Sequence, residues 1–273
     1  MQQEFEALRI DRRGAAATVR MMWPDGRIER FRQFHREFPI ALQLLRDDDT
    51  VRVVVLTGSG ERFLSAVGRE RPDPLGAPKS AVLSDPTNTY AAIRETTEIL
   101  DTIVSMEKPV IAMVNGDALG IGLSVALHCD LIIAREDALI TDLHIALDRF
   151  TPGLPPTGVV PGDGGTVILP LQMGLAKAKE FLFMGKPATA KQLAQMNAIN
   201  AAVPPSELET VVEGYVNDLL GRPAWALAWT KVAINKRLKQ HLTLYQDVAM
   251  AFEALSMRAA QAKLEGGKGI SHL

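Results

Sequence analysis

The chain has 273 residues, and its 30 lysines and arginines nearly balance its 32 aspartates and glutamates, for a formal net charge of −2. Hydrophobic residues make up 47% of the sequence, enough for a folded core rather than a disordered chain. The chain has no excess of basic residues, so nucleic-acid or membrane-surface binding is not expected. The single cysteine, Cys129, excludes an intramolecular disulfide and a cysteine-rich zinc cluster. With a charged amino terminus and no long apolar run, we expect a cytoplasmic protein without a membrane span.

The first half of the chain alternates strand and helix signals. Apolar patterning predicts strands at residues 15–22, 51–57, 110–114, 131–134 and 138–140, and helices at residues 34–46, 90–106 and 119–128. Residues 71–89 contain four prolines and little periodicity, which predicts a long loop. This alternation is typical of an α/β fold.

The second half reads as almost wholly helical after Pro161, and no further strands are predicted there. Its pattern predicts helices at residues 164–184, 190–195, 206–220, 224–239 and 242–264. No linker-like composition separates the two halves. We therefore expect an α/β core over residues 1–200 and a helical carboxy-terminal region, residues 201–273, that packs on the core or on a neighbouring chain.

Two strand-to-helix junctions are rich in glycine. Gly58 and Gly60 follow one predicted strand, and Gly120 and Gly122 open a helix after another. Free N–H groups at such junctions can stabilise an oxyanion or an enolate, but glycine content alone favours close packing of helix on strand, because isolated G-x-G turns are common. A dinucleotide-binding loop is not expected, because Val125 stands where its third glycine would be.

Histidines and carboxylates supply the candidates for proton chemistry. No two histidines have the spacing of a metal-binding pair on a convincing helix, so we expect no metal. His35 lies in a polar cluster and His128 in an apolar context typical of a core. His144 and Asp142 follow a short strand, where α/β sites are commonly built, although Asp142 could equally cap a turn. Asp163 could simply cap the helix that follows it.

Four motifs in order resemble the enoyl-CoA hydratase/isomerase (crotonase) superfamily. They are VVVLTGSGERF at residues 53–63, KPVIAMVNGDALGIG at 108–122, CDLIIA at 129–134 and PGDGGT at 161–166. The resemblance implies a spiral of ββα units with carboxy-terminal helices. It also implies assembly as a homotrimer or a dimer of trimers, and no cofactor beyond the coenzyme A carried by a thioester substrate.

In this superfamily two backbone N–H groups hold a thioester enolate. The resemblance places these oxyanion-hole donors at Ser65 and Ile121. It also implies that Ala66 and Gly120 line the substrate site. Lys231, in a segment similar to the family's carboxy-terminal helices, is expected to contact the substrate's coenzyme A phosphates or another subunit.

The chain departs from the family's hydratases at their two catalytic glutamates. Those positions fall on Ser124 and Leu154. In the segment after Phe63, Ala66 replaces the usual glycine and Gly68 the usual aspartate. Hydration of an enoyl-CoA by the family's own residues is therefore not expected.

A narrower resemblance to 6-oxocamphor hydrolase, a β-diketone hydrolase of the same fold, offers replacements. It rests on His35 and on GVVPGDG at residues 158–164. It implies that His35 and Asp163 belong to the active site. A further histidine of that enzyme aligns with Leu154, and His144, in an extra loop, could occupy the same space.

We expect an enzyme that stabilises an enolate, with His35 as general base on water, Asp163 orienting the water or transferring protons, and His144 as a further candidate. The leading hypothesis is a lyase or isomerase acting on an acyl-CoA thioester. The first alternative is a C–C hydrolase of a β-diketone without coenzyme A. The second is a non-catalytic or RNA-binding protein of the same fold, with the basic cluster Lys231, Lys236, Arg237 and Lys239 as its contact surface.

Overall fold

The computed structural model describes residues 4–22, 28–65, 86–146 and 158–264. Ala66, Gly68 and Leu154 lie outside the described residues. The strands within these ranges are β1 (Leu8–Arg13), β2 (Ala16–Met21), β3 (Val53–Gly58), β4 (Arg62–Ser65), β5 (Val110–Val114), β6 (Asp117–Leu119), β7 (Leu131–Arg135), β8 (Leu139–Thr141), β9 (Ala188–Thr189) and β10 (Ala201–Val203). The α-helices are α1 (Ile28–Asp47), α2 (Pro86–Ser105), α3 (Ile121–His128), α4 (Gly165–Met173), α5 (Leu175–Met184), α6 (Ala190–Gln195), α7 (Leu208–Leu220) and α8 (Ala224–Leu264). A short 3₁₀-helix, Pro205–Glu207, precedes α7.

The strands form two sheets. One has the order β1-β2-β3-β5-β7-β10, and the other has the order β4-β6-β8-β9. From β3 to β8, successive strands alternate between the two sheets, and every pair within each sheet over this stretch is parallel. Each turn of the chain therefore adds one strand to each sheet before a helix follows. This confirms the α/β spiral of ββα units predicted from the sequence.

The central strands are buried on both faces, which explains their continuous apolar runs. On one face, Val53, Val55 and Ile111 pack with Val212 and other residues of α7. On the opposite face, the alternate side chains join the main core, which includes Phe38 and the buried residues of α2. Among the described helices, none combines the length and the apolarity that a bilayer crossing requires.

The prediction that no strands follow Pro161 was wrong. β9 and β10 lie after Pro161, and β10 pairs with β7 just beyond residue 200. Strands of two or three residues are too short to show a period of two, so the helical pattern around them hides them. The two predicted carboxy-terminal helices are one helix, α8, of 41 residues.

An ion pair between a buried lysine and a partly exposed aspartate fastens the first half of α8 to the core. The Lys231 ammonium donates to Asp130 Oδ2 at 2.7 Å and to the Lys108 carbonyl at 3.0 Å. One turn later, the Asn235 amide donates to the Val104 carbonyl at 3.0 Å. The Lys231 side chain is only 7% exposed, so its charge is compensated within the fold.

We expect Lys231→Met to destabilise the protein by about 1–3 kcal/mol, because it leaves the partly buried Asp130 carboxylate without its cation. Urea unfolding followed by circular dichroism measures the effect. Lys177→Met is the matched control, since Lys177 pairs with Glu180 in water, with side chains 56% and 63% exposed. Adding Asp130→Asn to Lys231→Met should restore much of the stability, and no recovery would contradict the unpaired Asp130 charge as the cause.

Candidate active site

The carboxyl ends of β4, β6 and β8 meet at one edge of the smaller sheet. Ser65 is paired with Leu119, and Leu119 with Thr141. The residues that follow these strands therefore emerge side by side, the usual place for a site in a parallel sheet. Gly120 and Ile121 follow β6, and the segment that contains His144 follows β8.

The end of β4 and the start of α3, the two elements predicted to supply the oxyanion-hole N–H groups, pack closely on each other. Ile121 is the first residue of α3, so its N–H has no carbonyl partner within the helix. Gly120 precedes it with a positive φ of 57°. A side chain at Gly122 would approach the Leu64 carbonyl to 1.8 Å, which shows how closely the start of α3 packs on β4. This contact brings Ile121 beside the end of β4, where Ser65 lies.

His144 is held by carboxylates on two sides. Asp142 Oδ1 accepts hydrogen bonds from the His144 backbone N–H at 2.9 Å and from ring nitrogen Nδ1 at 2.8 Å. On the other side, Nε2 lies 3.6 Å from Oε1 of Glu253 on α8. The His144 side chain is 13% exposed. The ring is therefore oriented by two acids and withdrawn from most of the solvent.

Asp163 completes this group, which we call the proton cluster: Asp142, His144, Asp163 and Glu253. Asp163 is 5% exposed, and its Oδ1 is a buried oxygen without a hydrogen-bond partner. The next residue, Gly164, has a φ of 125°, and a side chain there would come within 2.6 Å of the His128 ring. Only a glycine lets the chain turn in this space and present Asp163 to the cluster.

The loop before Asp163 is held from two directions. The Val159 N–H donates to the His144 carbonyl at 2.7 Å. The Gly162 N–H donates to Glu253 Oε2 at 3.1 Å. The backbone from Val159 to Gly162 is therefore hydrogen-bonded to His144 on one side and to α8 on the other. These bonds fix the position of Asp163, the next residue.

Burial and mutual charge set the protonation of the cluster. Burial by itself lowers the pKa of His144, but the charges of Asp142, Asp163 and Glu253 outweigh it and raise that pKa well above its usual value. Burial raises the pKa of Asp163 to about 7, the His144 charge opposes this rise, and Glu253 and Asp142 reinforce it. His144 is thus an imidazolium near neutrality, while Asp163 exchanges its proton in that range.

His128 is a different kind of histidine. It is 3% exposed, which confirms the prediction of a core residue. Burial lowers its pKa to about 4, against a hydrogen bond to the Ser124 carbonyl. Its Nδ1 lies 2.6 Å from that oxygen, so the neutral ring carries its proton on Nδ1. It packs beside the cluster without carrying charge.

Three members of the cluster could also hold a cation. Ligand atoms of Asp142, His144 and Asp163 all lie within 4.8 Å of one another. Spacing along the sequence did not predict this, because Asp163 is distant in sequence from the other two. Asp142 Oδ1 already accepts two hydrogen bonds from His144, an arrangement that orients a ring for proton transfer.

The structure thus brings together two of the three predicted catalytic residues, His144 and Asp163. His35 lies on α1, 6% exposed, with its ring edge-on to Phe34 at 5.8 Å, and its role stays a prediction. Glu253 was missed. A single acid in the apolar stretch AMAFEALSM, residues 249–257, was the available signal.

Lys231 lies away from this edge, at the amino ends of β5 and β7. Its ammonium is engaged by Asp130 and by backbone carbonyls, so these contacts give no support to the predicted role in substrate binding. Lys236, Arg237 and Lys239 are exposed, so Lys231 does not share a surface with them.

Residues 31–271 match the family model described as enoyl-CoA hydratase/isomerase. The chain belongs to this family. It is 33% identical over 209 residues to the putative enoyl-CoA hydratase/isomerase YngF of Bacillus subtilis, covering 76% of this chain and 73% of YngF.

Two solved structures share the fold along nearly the full length. An enoyl-CoA hydratase/isomerase from Mycobacterium paratuberculosis is 24% identical, with a TM-score of 0.77 over 94% of this chain and 98% of that one. A β-diketone hydrolase from the cyanobacterium Anabaena sp. PCC 7120 is 27% identical, with a TM-score of 0.78 over 96% of this chain and all of that one.

We expect Asp163→Asn to stabilise the protein more at pH 8 than at pH 5. The carboxyl ionises near 3.8 when unfolded, but burial raises its folded pKa to about 7. Between these values only the folded chain keeps the proton, so ionisation of Asp163 costs stability as the pH rises from about 4 to about 7. Asparagine removes that cost. Urea midpoints of variant and wild type at both pH values test this, and an equal difference at both would contradict it.

Proposed function

We propose that this member of the enoyl-CoA hydratase/isomerase family is a hydrolase that cleaves a C–C bond of a β-diketone through an enolate. The observation that carries the proposal is the proton cluster, in which His144 is held between Asp142 and Glu253 with Asp163 beside it. Ser65 and Ile121 supply the N–H groups for the enolate oxygen.

The protonation states give the cluster an acid and a base at the same pH. The imidazolium of His144 can donate a proton, and the ionised fraction of Asp163 can accept one. This differs from the expectation that a histidine acts as the base on water. The carboxylates of Asp142 and Glu253 keep the imidazolium charged and oriented.

In the proposed reaction, water attacks one carbonyl carbon while the Asp163 carboxylate takes its proton. The bond between that carbon and the central carbon then breaks, and its electron pair passes to the second carbonyl as an enolate. The N–H groups of Ser65 and Ile121 bind the enolate oxygen. His144 donates a proton to the central carbon, and the proton on Asp163 returns to His144. One water is consumed, and the products are a carboxylic acid and a ketone, which stay joined as one keto acid when the broken bond lies in a ring.

The residues at the hydratase positions favour this reaction over hydration. Ser124 stands at the first glutamate position and is 1% exposed. The Ser124 side chain favours the charged form of Asp163 and so lowers the pKa of that acid against the effect of burial, while its hydroxyl donates to the Gly120 carbonyl at 3.5 Å. The place of a catalytic glutamate is thus taken by a small residue that supports Asp163. Similarity to a β-diketone hydrolase over the full chain agrees with this choice.

A thioester substrate is the second candidate. It is favoured by the match to the family model and by the identity with a putative enoyl-CoA hydratase/isomerase. The same acid, base and oxyanion donors could exchange a proton next to a thioester carbonyl. Both candidates therefore share the enolate and differ in the bond that breaks.

A labelling experiment separates them. The protein is incubated in heavy water with a panel of cyclic β-diketones and a panel of acyl-CoA thioesters, and products are followed by mass spectrometry. We expect a ring-opened keto acid and, from diketones whose central carbon carries no hydrogen, one solvent deuterium at that carbon. Asp163→Asn and His144→Gln should each lower kcat by roughly 10²–10⁴. His241→Gln is the matched control, because His241 stacks on the exposed Tyr245.

The outcomes are distinct. Turnover of thioesters alone would favour the second candidate. Wild-type turnover in both Asp163→Asn and His144→Gln would contradict the proton cluster as the catalytic centre. A comparable fall in His35→Ala would support His35 as a further catalytic residue. A folded protein silent on both panels would favour the non-catalytic or RNA-binding alternative.

The oxyanion hole has its own test. Ile121→Pro removes a backbone N–H at the first helical position, where proline is well tolerated. We expect kcat to fall by about 10²–10³, because one donor to the enolate is lost. Ile121→Val keeps the N–H with a similar change in side-chain volume and should retain activity. Equal activity of the two folded variants would rule out the Ile121 donor.

A further inference from the structure

Ser256 joins α8 to the loop that carries Asp163. Its hydroxyl donates to the Glu253 carbonyl at 2.8 Å, one helical turn earlier. The same oxygen accepts the Val160 N–H at 2.8 Å. One small side chain is therefore bonded both to the helix residue that faces His144 and to the loop.

The bonds on either side of Val160 belong to the proton cluster. Val159 donates to the His144 carbonyl at 2.7 Å, and Gly162 donates to the Glu253 carboxylate at 3.1 Å. Ser256 thus sets the register between a helix that carries one acid and a loop that carries another. The Lys231 anchor of α8 lies 25 residues before Ser256, about 37 Å along the helix axis, too far to set this register.

We propose that Ser256 is a positioning residue that fixes the Glu253 carboxylate and the Asp163 loop relative to the His144 imidazole. Its effect on turnover rests on the proposed function, whereas its effect on His144 does not. Without the hydroxyl, Val160 loses its acceptor and the loop can shift along α8. A displacement of about 1 Å at reacting groups can cost as much as 10²-fold in rate.

The test measures His144 directly in the full chain. Its imidazole is titrated by NMR in wild type, Ser256→Ala and Ser256→Thr, with His144→Gln to assign the signal. The groups that face the ring are Asp142, Asp163 and Glu253. We expect Ser256→Ala to lower the pKa of His144, because two of these acids are displaced, and Ser256→Thr to restore it. Kinetics should show a 10- to 100-fold lower kcat in Ser256→Ala, with KM nearly unchanged.

Ser105→Ala is the matched control, since Ser105 also lies on a helix and its hydroxyl bonds only locally among the described contacts, to Asp101. It should leave the His144 titration unchanged. A wild-type titration in folded Ser256→Ala, or an equal shift in Ser256→Thr, would overturn the positioning role.

If Ser256→Ala does not fold, Ser256→Cys replaces it, because a thiol is a weaker acceptor of similar shape. An intermediate shift of the His144 pKa supports the proposal, and a wild-type titration overturns it. A shifted titration in Ser256→Ala together with full turnover in Asp163→Asn would contradict the proposed function and leave the positioning role standing.

Discussion

Three carboxyl groups share one imidazole in a space largely withdrawn from water. Like charges so close cannot all ionise without strong repulsion, and a lone imidazole so buried would not keep its proton. In the assembled cluster the pKa of His144 is raised, so the imidazole keeps its charge near neutral pH. Asp163, with a pKa of about 7, is protonated in only part of the molecules at that pH. These groups come from the end of β8, from the loop before α4 and from α8, and the packing of these elements must hold the acids together against their mutual repulsion. The protonation states that result are the basis of the proposed chemistry.

The spiral places the proton cluster near the amino end of α3, which carries a partial positive charge. The start of α3 directs backbone N–H groups, and the positive end of its dipole, to the edge where β4 and β6 end. In the proposed reaction, neutral N–H donors bind the negative charge that develops on the substrate, while the ionisable side chains of the cluster move the protons.

The sequence could predict the parts of the site that are local in the chain. Three parts of the site lie in short stretches of sequence that have a recognisable pattern. They are the glycines around Ile121, the pair Asp142 and His144 after a predicted strand, and Asp163 in its glycine-rich loop. Glu253 has no such pattern, because its role depends on α8 crossing the loop, a contact between distant segments. The same limit applies to β10, which is recognised as a strand only through its pairing with β7. Patterning shows which face is buried, but not which partner buries it.

The position of Glu253 on α8 also determines when, during synthesis, the proton cluster can be completed. Gly162 and the Glu253 that binds it are 91 residues apart. Proteins emerge from the ribosome amino end first, so both sheets and the Asp163 loop are available before the second half of α8 is made. The nascent chain can therefore build its scaffold while its histidine still lacks one of the acids that hold it. Folding of the scaffold and assembly of the complete proton cluster can therefore be separate events during synthesis.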